Sequence, residues 1–354
     1  MRIYELFPRR KDQYERRARG EKGDPVIPPN AKLPPSTMIT LFTLPKPFVG
    51  HIGMIQRNAI QSWTRLHPDI DILMFGSEQG TAEIAAEFGI RHFPDVDVNE
   101  YGTPRMSGYF QQEEEAARHS RMCYVNADIV LFPDLLEAVA KVDLAKFVMG
   151  GWRTDYDIEE PIDFSRPDWA EALREDAEQN GTLHDFSGID YFVYPRGMFG
   201  EIPEFALGRW YWDNWLVYRA RRLGGALIDA SACVTAIHQN HDYRHIVHLE
   251  SKRGTVGGIE SFGNRLLVKS IMMTLEDADW QVDGSGLSRI FRKTRWHFLN
   301  EAALQAEIHE FPAAIRQPLV WIARQQWDRN WKRRYAELLS EQPELIVQGE
   351  NYAV

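Results

Sequence analysis

Short hydrophobic runs alternate with segments of helical periodicity along the first half of the chain. Residues 38–43 form an apolar, β-prone run that ends before Pro45 and Pro47, as expected for a buried strand. Apolar residues then recur at spacings of three and four from Ile52 to Leu66, which predicts an amphipathic helix. The pattern continues with predicted strands at 71–76, 90–93 and 121–125, an apolar run at 129–132, and predicted helices at 81–88, at 107–119 and from residue 133 onward.

This order of elements predicts an α/β fold. Strands that are apolar throughout and separated by helices are typical of a mostly parallel sheet with helices on both faces. In such sheets ligands bind at the carboxyl ends of the strands. The rule directs attention to Thr43, Gly76 and residues 126–128, each of which follows a predicted strand.

The second half of the chain is less regular. Strands are predicted at 146–151, 190–194 and 226–228, and a loop rich in Asp and Glu is predicted for 153–184. After Gly286 the sequence is predicted to be helical and is rich in Trp and Arg. We therefore expect a polar, proline-rich arm at 1–36, a single α/β domain at 37–285 and a helical C-terminal extension at 286–354.

Composition and charge narrow the class of protein. The chain has 354 residues, of which 44% are hydrophobic and 26% charged, as in ordinary soluble globular proteins. Its formal net charge of -10 disfavours a nucleic-acid partner. The sequence shows neither an apolar run of membrane-spanning length nor a secretory signal, so we expect no transmembrane segment and a cytoplasmic location. An acidic protein that binds an anionic ligand also needs a metal or a few placed cations.

The most informative motif is Asn126-Ala127-Asp128, which follows a hydrophobic strand and leads into another apolar run. A carboxylate at such a position is costly to bury without a partner. A divalent cation would supply that partner, because Mn²⁺ or Mg²⁺ binds carboxylate and phosphate oxygens and needs only one or two protein carboxylates. The alternative is that Asp128 hydrogen-bonds a neighbouring loop.

An acidic residue among aromatic rings stands at the start of a helix predicted at 212–222. In that setting Asp213 suits a general base, since burial can tune the pKa of its carboxyl group. The rings of Trp212 and Trp215 suit sugars, whose C–H groups pack on aromatic faces. The alternatives are that Asp213 caps the helix and that both tryptophans belong to the core.

Two other segments contain candidate ligands. His238 and His241 are three residues apart, and neutral imidazole is a common ligand of transition metals. The alternative is that these histidines have an ordinary loop role. Gly188 would let the main chain come close to a ligand, and Asp190 would hold sugar hydroxyls, although a simple turn is an equally good interpretation.

In order along residues 38–243, the motifs YVNADI, SGIDYFVYPRGMF, WDNW and HQNHDY resemble those of the GT-A fold glycosyltransferases. Asn-Ala-Asp stands where many members carry Asp-x-Asp. The resemblance implies a Rossmann-like GT-A domain that transfers a sugar from a nucleotide-diphosphate donor to a carbohydrate or glycolipid acceptor. It implies Mn²⁺ or Mg²⁺ on the donor diphosphate, bound by Asp128 and by His238 or His241, and Asp213 as the base of an inverting reaction.

The same resemblance assigns other residues to the nucleotide-sugar site. Thr43 and Pro45, after the first strand, would lie near the base and ribose, and Gly76 would lie at the same edge. Arg57 is a candidate partner for phosphate or for an acidic side chain, and a surface role is equally compatible. Synthesis of a bacterial surface polysaccharide is the expected role.

The sequence departs from the family pattern at Asn126, which is a weaker metal ligand than a carboxylate. The departure implies either a lower metal affinity or a contact between Asn126 and the ribose. Two alternatives to an inverting enzyme stay open. One is a retaining transferase on the same fold, and the other is a non-catalytic nucleotide- or carbohydrate-binding protein.

Overall fold

The structure is a computed structural model that describes residues 37–184, 188–241, 258–291 and 295–325. The predicted N-terminal arm (1–36) and the end of the C-terminal extension (326–354) lie outside the described residues. The described strands are β1 (Ile39–Thr43), β2 (Asp71–Phe75), β3 (Arg91–Phe93), β4 (Arg121–Val125), β5 (Ile129–Leu131), β6 (Phe147–Gly150), β7 (Thr154–Tyr156), β8 (Thr182–Leu183), β9 (Tyr191–Pro195), β10 (Ala226–Asp229), β11 (Ala236–Gln239), β12 (Trp280–Asp283) and β13 (Gly286–Arg289).

Helices connect most of these strands. They are α1 (Gly50–Trp63), α2 (Thr81–Phe88), α3 (Met106–Ala116), α4 (Asp134–Ala140), α5 (Trp169–Asn180), α6 (Trp212–Arg222), α7 (Gly258–Leu267) and α8 (Arg295–Ile308), with a 3-10 turn at Leu275–Asp277. Residues 313–325 are also helical. Among the described residues, no helix is both long enough and apolar enough to cross a membrane.

Nine strands form the main sheet, in the order β13-β12-β10-β6-β9-β4-β1-β2-β3. All neighbours pair in parallel except β9, which is antiparallel to β4 and β6, and β13, which is antiparallel to β12. The predicted α/β fold, a mostly parallel sheet flanked by helices, is confirmed. Because β9 runs against its neighbours, its first residues lie at the same edge of the sheet as the carboxyl end of β4.

Helices cover both faces of the sheet, which explains why its central strands are apolar throughout. Met122 and Tyr124 of β4 belong to the core beneath α3 and α6, whereas Cys123 and Val125 belong to the core beneath α1, α2 and α4. The side chains of a strand alternate between faces, so burial of both faces requires an unbroken hydrophobic run. Polar residues are therefore few inside these strands, and Thr43, at the carboxyl end of β1, lies at the edge where the site is built.

A smaller sheet, in the order β5-β11-β7-β8, stands beside the main one. Its presence corrects the prediction of a loop for 153–184, since this segment contains β7, α5 and β8. The prediction followed the many acidic residues of this segment and overlooked an apolar stripe at a spacing of four, formed by Trp169, Leu173 and Ala177. This stripe packs on a small core with Phe132 and other apolar side chains of the second sheet.

The expected boundary between residues 285 and 286 falls inside a hairpin. Gly286 begins β13, which pairs with β12 from Asp283↔Gly286 to Trp280↔Arg289. The main sheet therefore extends past the predicted end of the α/β domain, and the helical part of the extension begins with α8. The hairpin depends on Gly286, which has a φ of +115°, a value that glycine adopts without strain.

Candidate active site

The Asn126-Ala127-Asp128 tripeptide forms the turn between β4 and β5. The Asn126 amide donates to the Asp190 carbonyl (2.9 Å), and the Ile129 amide donates to the Asn126 carbonyl (3.1 Å). The main-chain carbonyl of Asp128 accepts from the main-chain amide of Gln239 (3.3 Å) and from its side-chain Nε2 (3.1 Å). Both ends of the turn are therefore fixed, which sets the direction of the Asp128 carboxylate.

Asp128, His238 and His241 come together at this edge of the sheet. One ligand atom from each lies within 4.8 Å of the others. Asp128 Oδ2 is 3.1 Å from His241 Nε2 and 4.0 Å from His238 Nε2. The contact arises because β11 pairs with β5 in the register His238↔Ile129, which places the end of β11 beside the tripeptide. The structure thus assembles the three residues predicted as metal ligands.

The electrostatics of Asp128 favour a bound cation. Burial, the largest influence, raises the pKa of its carboxyl group, but the hydrogen bond from His241 and the charges of His238 and Lys46 hold that pKa well below its usual range. Asp128 Oδ1 is buried and has no hydrogen-bond partner among the described residues. A buried, ionised carboxylate with a spare oxygen is costly unless a cation binds it.

The ligand set also indicates which cations fit. One carboxylate oxygen and two imidazole nitrogens from Asp128, His238 and His241 can face one ion. Magnesium prefers oxygen ligands and water in octahedral geometry, whereas imidazole suits transition metals. The residues present therefore fit Mn²⁺ or a similar transition metal better than Mg²⁺.

Asp155 supports the metal-ligand candidate His238 from the far side. Its Oδ1 is 3.0 Å from His238 Nδ1, and its Oδ2 is 2.8 Å from His184 Nδ1. Burial raises the pKa of Asp155, but its close contacts with both histidines and the charge of Arg153 outweigh burial and lower that pKa strongly. A carboxylate behind a ligating histidine fixes the tautomer and orientation of the ring.

The sequence prediction missed Asp155. It lies in the segment predicted as an acidic loop, and its contact depends on the parallel register His238↔Asp155 between β11 and β7. Nothing in the local sequence distinguishes it from the other acids of that segment.

Asn126 and Asp190 bind each other rather than pointing to the metal candidates. Asn126 Nδ2 donates to Asp190 Oδ1 (2.6 Å), and Tyr124 Oη donates to Asn126 Oδ1 (2.6 Å). The second oxygen of Asp190 accepts from Arg153. Both polar atoms of the Asn126 amide are therefore engaged within the protein.

Gly188 lies close to this network. A Cβ added there would be 2.7 Å from Cδ2 of the His184 ring, so the absence of a side chain lets the ring of His184 approach.

Asp213 is the second residue of α6 and is partly exposed. Removal of its carboxyl group from water, together with the negative charge of Asp190, raises its pKa from 3.8 to about 7, although two main-chain amides at the start of the helix act in the opposite direction. The carboxylates of Asp190, Asp128 and Asp213 all raise the pKa of the buried Tyr124, after burial itself. All three acids are therefore close enough to the end of β4 to act on Tyr124.

The turn before Asp213 is strained and firmly held. Tyr211 has a φ of +86°, a left-handed conformation that is costly for a bulky residue. The neighbouring Trp210 carbonyl accepts from Asn264 Nδ2 of α7 (3.0 Å), and the Trp210 amide donates to Ser261 Oγ (3.2 Å). Strain of this kind persists when surrounding contacts fix it, and it is common at functional sites.

The two predicted stacking residues are buried instead. Trp212 and Trp215 are 6% and 7% exposed. Trp212 packs edge-on against Tyr124 at a ring distance of 5.1 Å, and Trp215 packs against Phe205 at 5.2 Å. Their rings contact protein, which corrects the prediction that they stack on a sugar. The aromatic residue of this turn that is open to solvent is Trp210, which is 40% exposed.

Three of the predicted donor-site residues lie at the ends of β1 and β2. Thr43 is buried and donates from Oγ1 to the Val125 carbonyl (2.7 Å), which ties the end of β1 to the end of β4. Pro45 is also buried, in the loop that follows β1. Gly76 follows β2 with a φ of +91°, and its carbonyl accepts from His92 Nε2 (2.8 Å).

Arg57 does not join the site. Its guanidinium forms an exposed ion pair with Glu87, which links α1 to α2. Of the two partners predicted for Arg57, phosphate and an acidic side chain, the structure shows the acidic side chain.

The prediction also missed Lys46, in the loop between β1 and α1. Gln56 fixes its main chain, since Oε1 accepts from the Lys46 amide (2.6 Å) and Nε2 donates to the Lys46 carbonyl (2.8 Å). Lys46 Nζ lies 3.4 Å from His241 Nε2. Burial lowers the pKa of Lys46, and the charge of Asp128 partly restores it. A single lysine between two prolines carries no sequence pattern that would reveal this position.

No protein-family model matches the sequence, and no curated protein matches it significantly. Among solved structures, glucosyl-3-phosphoglycerate synthase of M. tuberculosis is similar over 65% of this chain and 80% of its own length, at 14% identity and a TM-score of 0.39. Mannosyl-3-phosphoglycerate synthase of Rubrobacter xylanophilus is similar over 74% and 80%, at 18% identity and a TM-score of 0.37. The mycobacterial synthase in complex with Mn²⁺, UDP and phosphoglyceric acid is similar over 59% and 73%, at 16% identity and a TM-score of 0.36. Similarities this distant do not identify the family of the chain.

Proposed function

We propose that this protein is a metal-assisted glycosyltransferase that moves a sugar from a nucleotide-diphosphate donor to a hydroxyl acceptor. The observation that carries the proposal is the cluster of Asp128, His238 and His241 at the carboxyl edge of a mostly parallel sheet, where one oxygen of Asp128 has no hydrogen-bond partner among the described residues. Ligands of α/β proteins bind at this edge. The order of the motifs, with the tripeptide first, Asp213 second and the histidines last, supports the same function.

The cluster would hold the diphosphate half of the donor through the metal. Asp128, His238 and His241 bind the cation, and Asp155 orients His238 for that role. When bound, the cation stabilises the negative charge that develops on the leaving diphosphate. We propose Mn²⁺ rather than Mg²⁺, because two of the three ligands are imidazoles.

The nucleoside half would lie along the ends of the neighbouring strands. Thr43, Pro45 and Gly76 are placed there, at the carboxyl ends of β1 and β2. These strand ends would face the base and ribose, while Thr43 ties the end of β1 to the end of β4 through its bond to Val125.

Asp213 is the group we propose as general base. A pKa of about 7 leaves its carboxylate partly ionised near neutral pH. A base in that range combines a useful ionised fraction with a real affinity for the proton, and positioned acid–base groups contribute roughly 10²–10⁴-fold to a rate. The Asp213 carboxylate would accept the proton of the acceptor hydroxyl as that oxygen attacks the sugar, so the anomeric configuration would invert.

The acceptor we propose is a hydroxyl of a carbohydrate or glycolipid, with surface polysaccharide as the product. This assignment rests on the resemblance of the sequence motifs to GT-A enzymes. Among the residues that the structure describes, the exposed ring of Trp210 stands directly before the strained turn and is available to a sugar.

Calorimetry and product analysis test the proposal together. UDP, GDP and dTDP are titrated into the protein with and without Mn²⁺, and the matching nucleotide sugars are then assayed for transfer. We expect one nucleotide to bind in a metal-dependent way, Asp128→Ala to lose that dependence, and Asp213→Asn to bind normally without turnover. Equal activity in both variants and the wild type would exclude the proposed site.

Other outcomes separate the alternatives. Transfer with retained configuration would assign Asp213 to orienting the sugar rather than to taking a proton. Metal-dependent binding without turnover of any donor would indicate a binding protein that keeps the fold and lacks the reaction.

A further inference from the structure

We propose that Lys46 is a second, protein-supplied cation of the donor site, and that its ammonium group binds the diphosphate beside the metal. The inference rests on the proposed function and adds to it a residue outside the Asp128, His238 and His241 cluster. It assigns to the loop between β1 and α1 the task of holding negative charge on the donor.

Hydrogen bonds from a buried side chain fix the position of Lys46. The side chain of Gln56 binds both polar atoms of the Lys46 main chain, at 2.6 and 2.8 Å. Gln56 is itself 2% exposed, so the clamp is part of the buried structure of α1. A loop lysine on the surface needs no such anchor, whereas a lysine that must point at one place does.

The ammonium group lies among the metal-ligand candidates. Among the described residues, the polar atom within hydrogen-bonding distance of this ammonium is His241 Nε2 at 3.4 Å, and the same nitrogen is 3.1 Å from Asp128 Oδ2. A lysine ammonium has three donors and no acceptor, so one distant imidazole satisfies it poorly. An ammonium group that is partly withdrawn from water is stable only near an anion, and here that anion is Asp128. A metal bound to Asp128 would offset its negative charge, and the donor diphosphate would then supply the anion for the lysine.

A metal in the cluster changes what this lysine can contact. Once His241 Nε2 is used as a metal ligand, its lone pair is no longer available to Lys46, and the two cations repel each other. The ammonium must turn away from the ion while its main chain stays clamped by Gln56. The diphosphate, bound to the same ion, is the nearest anion that would receive it. Lysine is a common phosphate-binding residue and acts as a point charge in that role.

Calorimetry on the full chain tests the assignment. The ligand is UDP, GDP or dTDP, whichever the wild type binds most tightly in the presence of Mn²⁺. Lys46→Met keeps the length of the side chain and removes its charge. We expect it to weaken binding of the nucleoside diphosphate about 10- to 100-fold, as a lost charge-assisted bond does. Binding of the parent nucleoside should stay within about twofold, because it has no phosphate.

Two further variants and one metal titration complete the design. Lys46→Arg keeps the charge and should recover part of the affinity. Lys146→Met is the matched control, since Lys146 is exposed and stands before β6, at the opposite edge of the sheet. Mn²⁺ without nucleotide should bind Lys46→Met at least as tightly as the wild type, because a competing cation has been removed.

Each result has a defined meaning. Unchanged diphosphate affinity in Lys46→Met, or an equal loss for nucleoside and diphosphate, would overturn the assignment. Weaker binding of Mn²⁺ alone would also overturn it, since the lysine would then be supporting the metal ligands. A wild-type protein that binds no nucleoside diphosphate would instead refute the proposed function, a failure visible before any variant is made.

Discussion

Replacement of Asp213 by asparagine separates catalysis from stability, because the two are expected to respond in opposite directions. Asn keeps the size of the side chain and removes its charge. If Asp213 is the base, turnover is lost. The surroundings of this carboxylate disfavour its ionised form, so at neutral pH the charge lowers the free energy of unfolding of the wild type. Asp213→Asn removes that destabilisation.

The size of that cost follows from the pKa of Asp213. Its rise from 3.8 to about 7 corresponds, at 1.36 kcal/mol per pH unit, to about 4 kcal/mol against the ionised form. Because the folded-state pKa of an acid is raised, the cost is absent well below pH 4, grows as the pH rises towards 7 and is complete above it. Asp213→Asn should therefore gain up to about 4 kcal/mol at pH 8 and less than about 1 kcal/mol at pH 4.

Urea unfolding followed by tryptophan fluorescence measures this difference. Wild type and Asp213→Asn are compared at pH 4 and pH 8, with Asp143→Asn as a control that removes one charge from an exposed position. Asp143→Asn should change the free energy of unfolding by less than about 0.5 kcal/mol at both pH values. A gain for Asp213→Asn that is equal at both pH values, or absent at pH 8, would refute the proposed environment of this carboxylate.

Two other substitutions give further tests. Asp155→Asn should weaken Mn²⁺ binding about 10- to 100-fold, because His238 loses the carboxylate that orients its ring. Paramagnetic resonance of free Mn²⁺ measures the affinity, and Asp157→Asn is the exposed control on the same segment. Equal affinities in the two variants would contradict the role of Asp155. Arg57→Ala should leave nucleotide affinity unchanged and lower the free energy of unfolding by less than about 1 kcal/mol, because its ion pair with Glu87 is exposed; a clear loss of nucleotide binding by calorimetry would return Arg57 to the donor site.

The first half of the fold was predictable because its strands are buried on both faces. Residues 38–43 and 122–125 are buried and mostly apolar, and a run of that kind between helical segments has few other interpretations. The prediction of a loop for 153–184 was wrong for the opposite reason. Its helix buries only the narrow stripe that begins at Trp169, so the exposed acids dominate the composition.

The metal-ligand candidates could be predicted from the sequence, but the residues that contact them could not. Asp128 and the histidines follow strands in an order that resembles a known family. Asp155 and Lys46 reach the site only through the register of β7 with β11 and through the clamp on a loop, which are long-range contacts. Trp212 has the helical spacing of a core residue, and burial proved to be its role here.

The most direct test of the central claim is release of nucleoside diphosphate from nucleotide sugars by metal-stripped protein, with water or an added hydroxyl compound accepting the sugar. We predict release from one donor after Mn²⁺ is added, little without metal, and none above background for Asp128→Asn with Mn²⁺. Undiminished release in the presence of a chelator, or a wild-type rate in Asp128→Asn, would contradict a metal-assisted glycosyltransferase built on Asp128, His238 and His241.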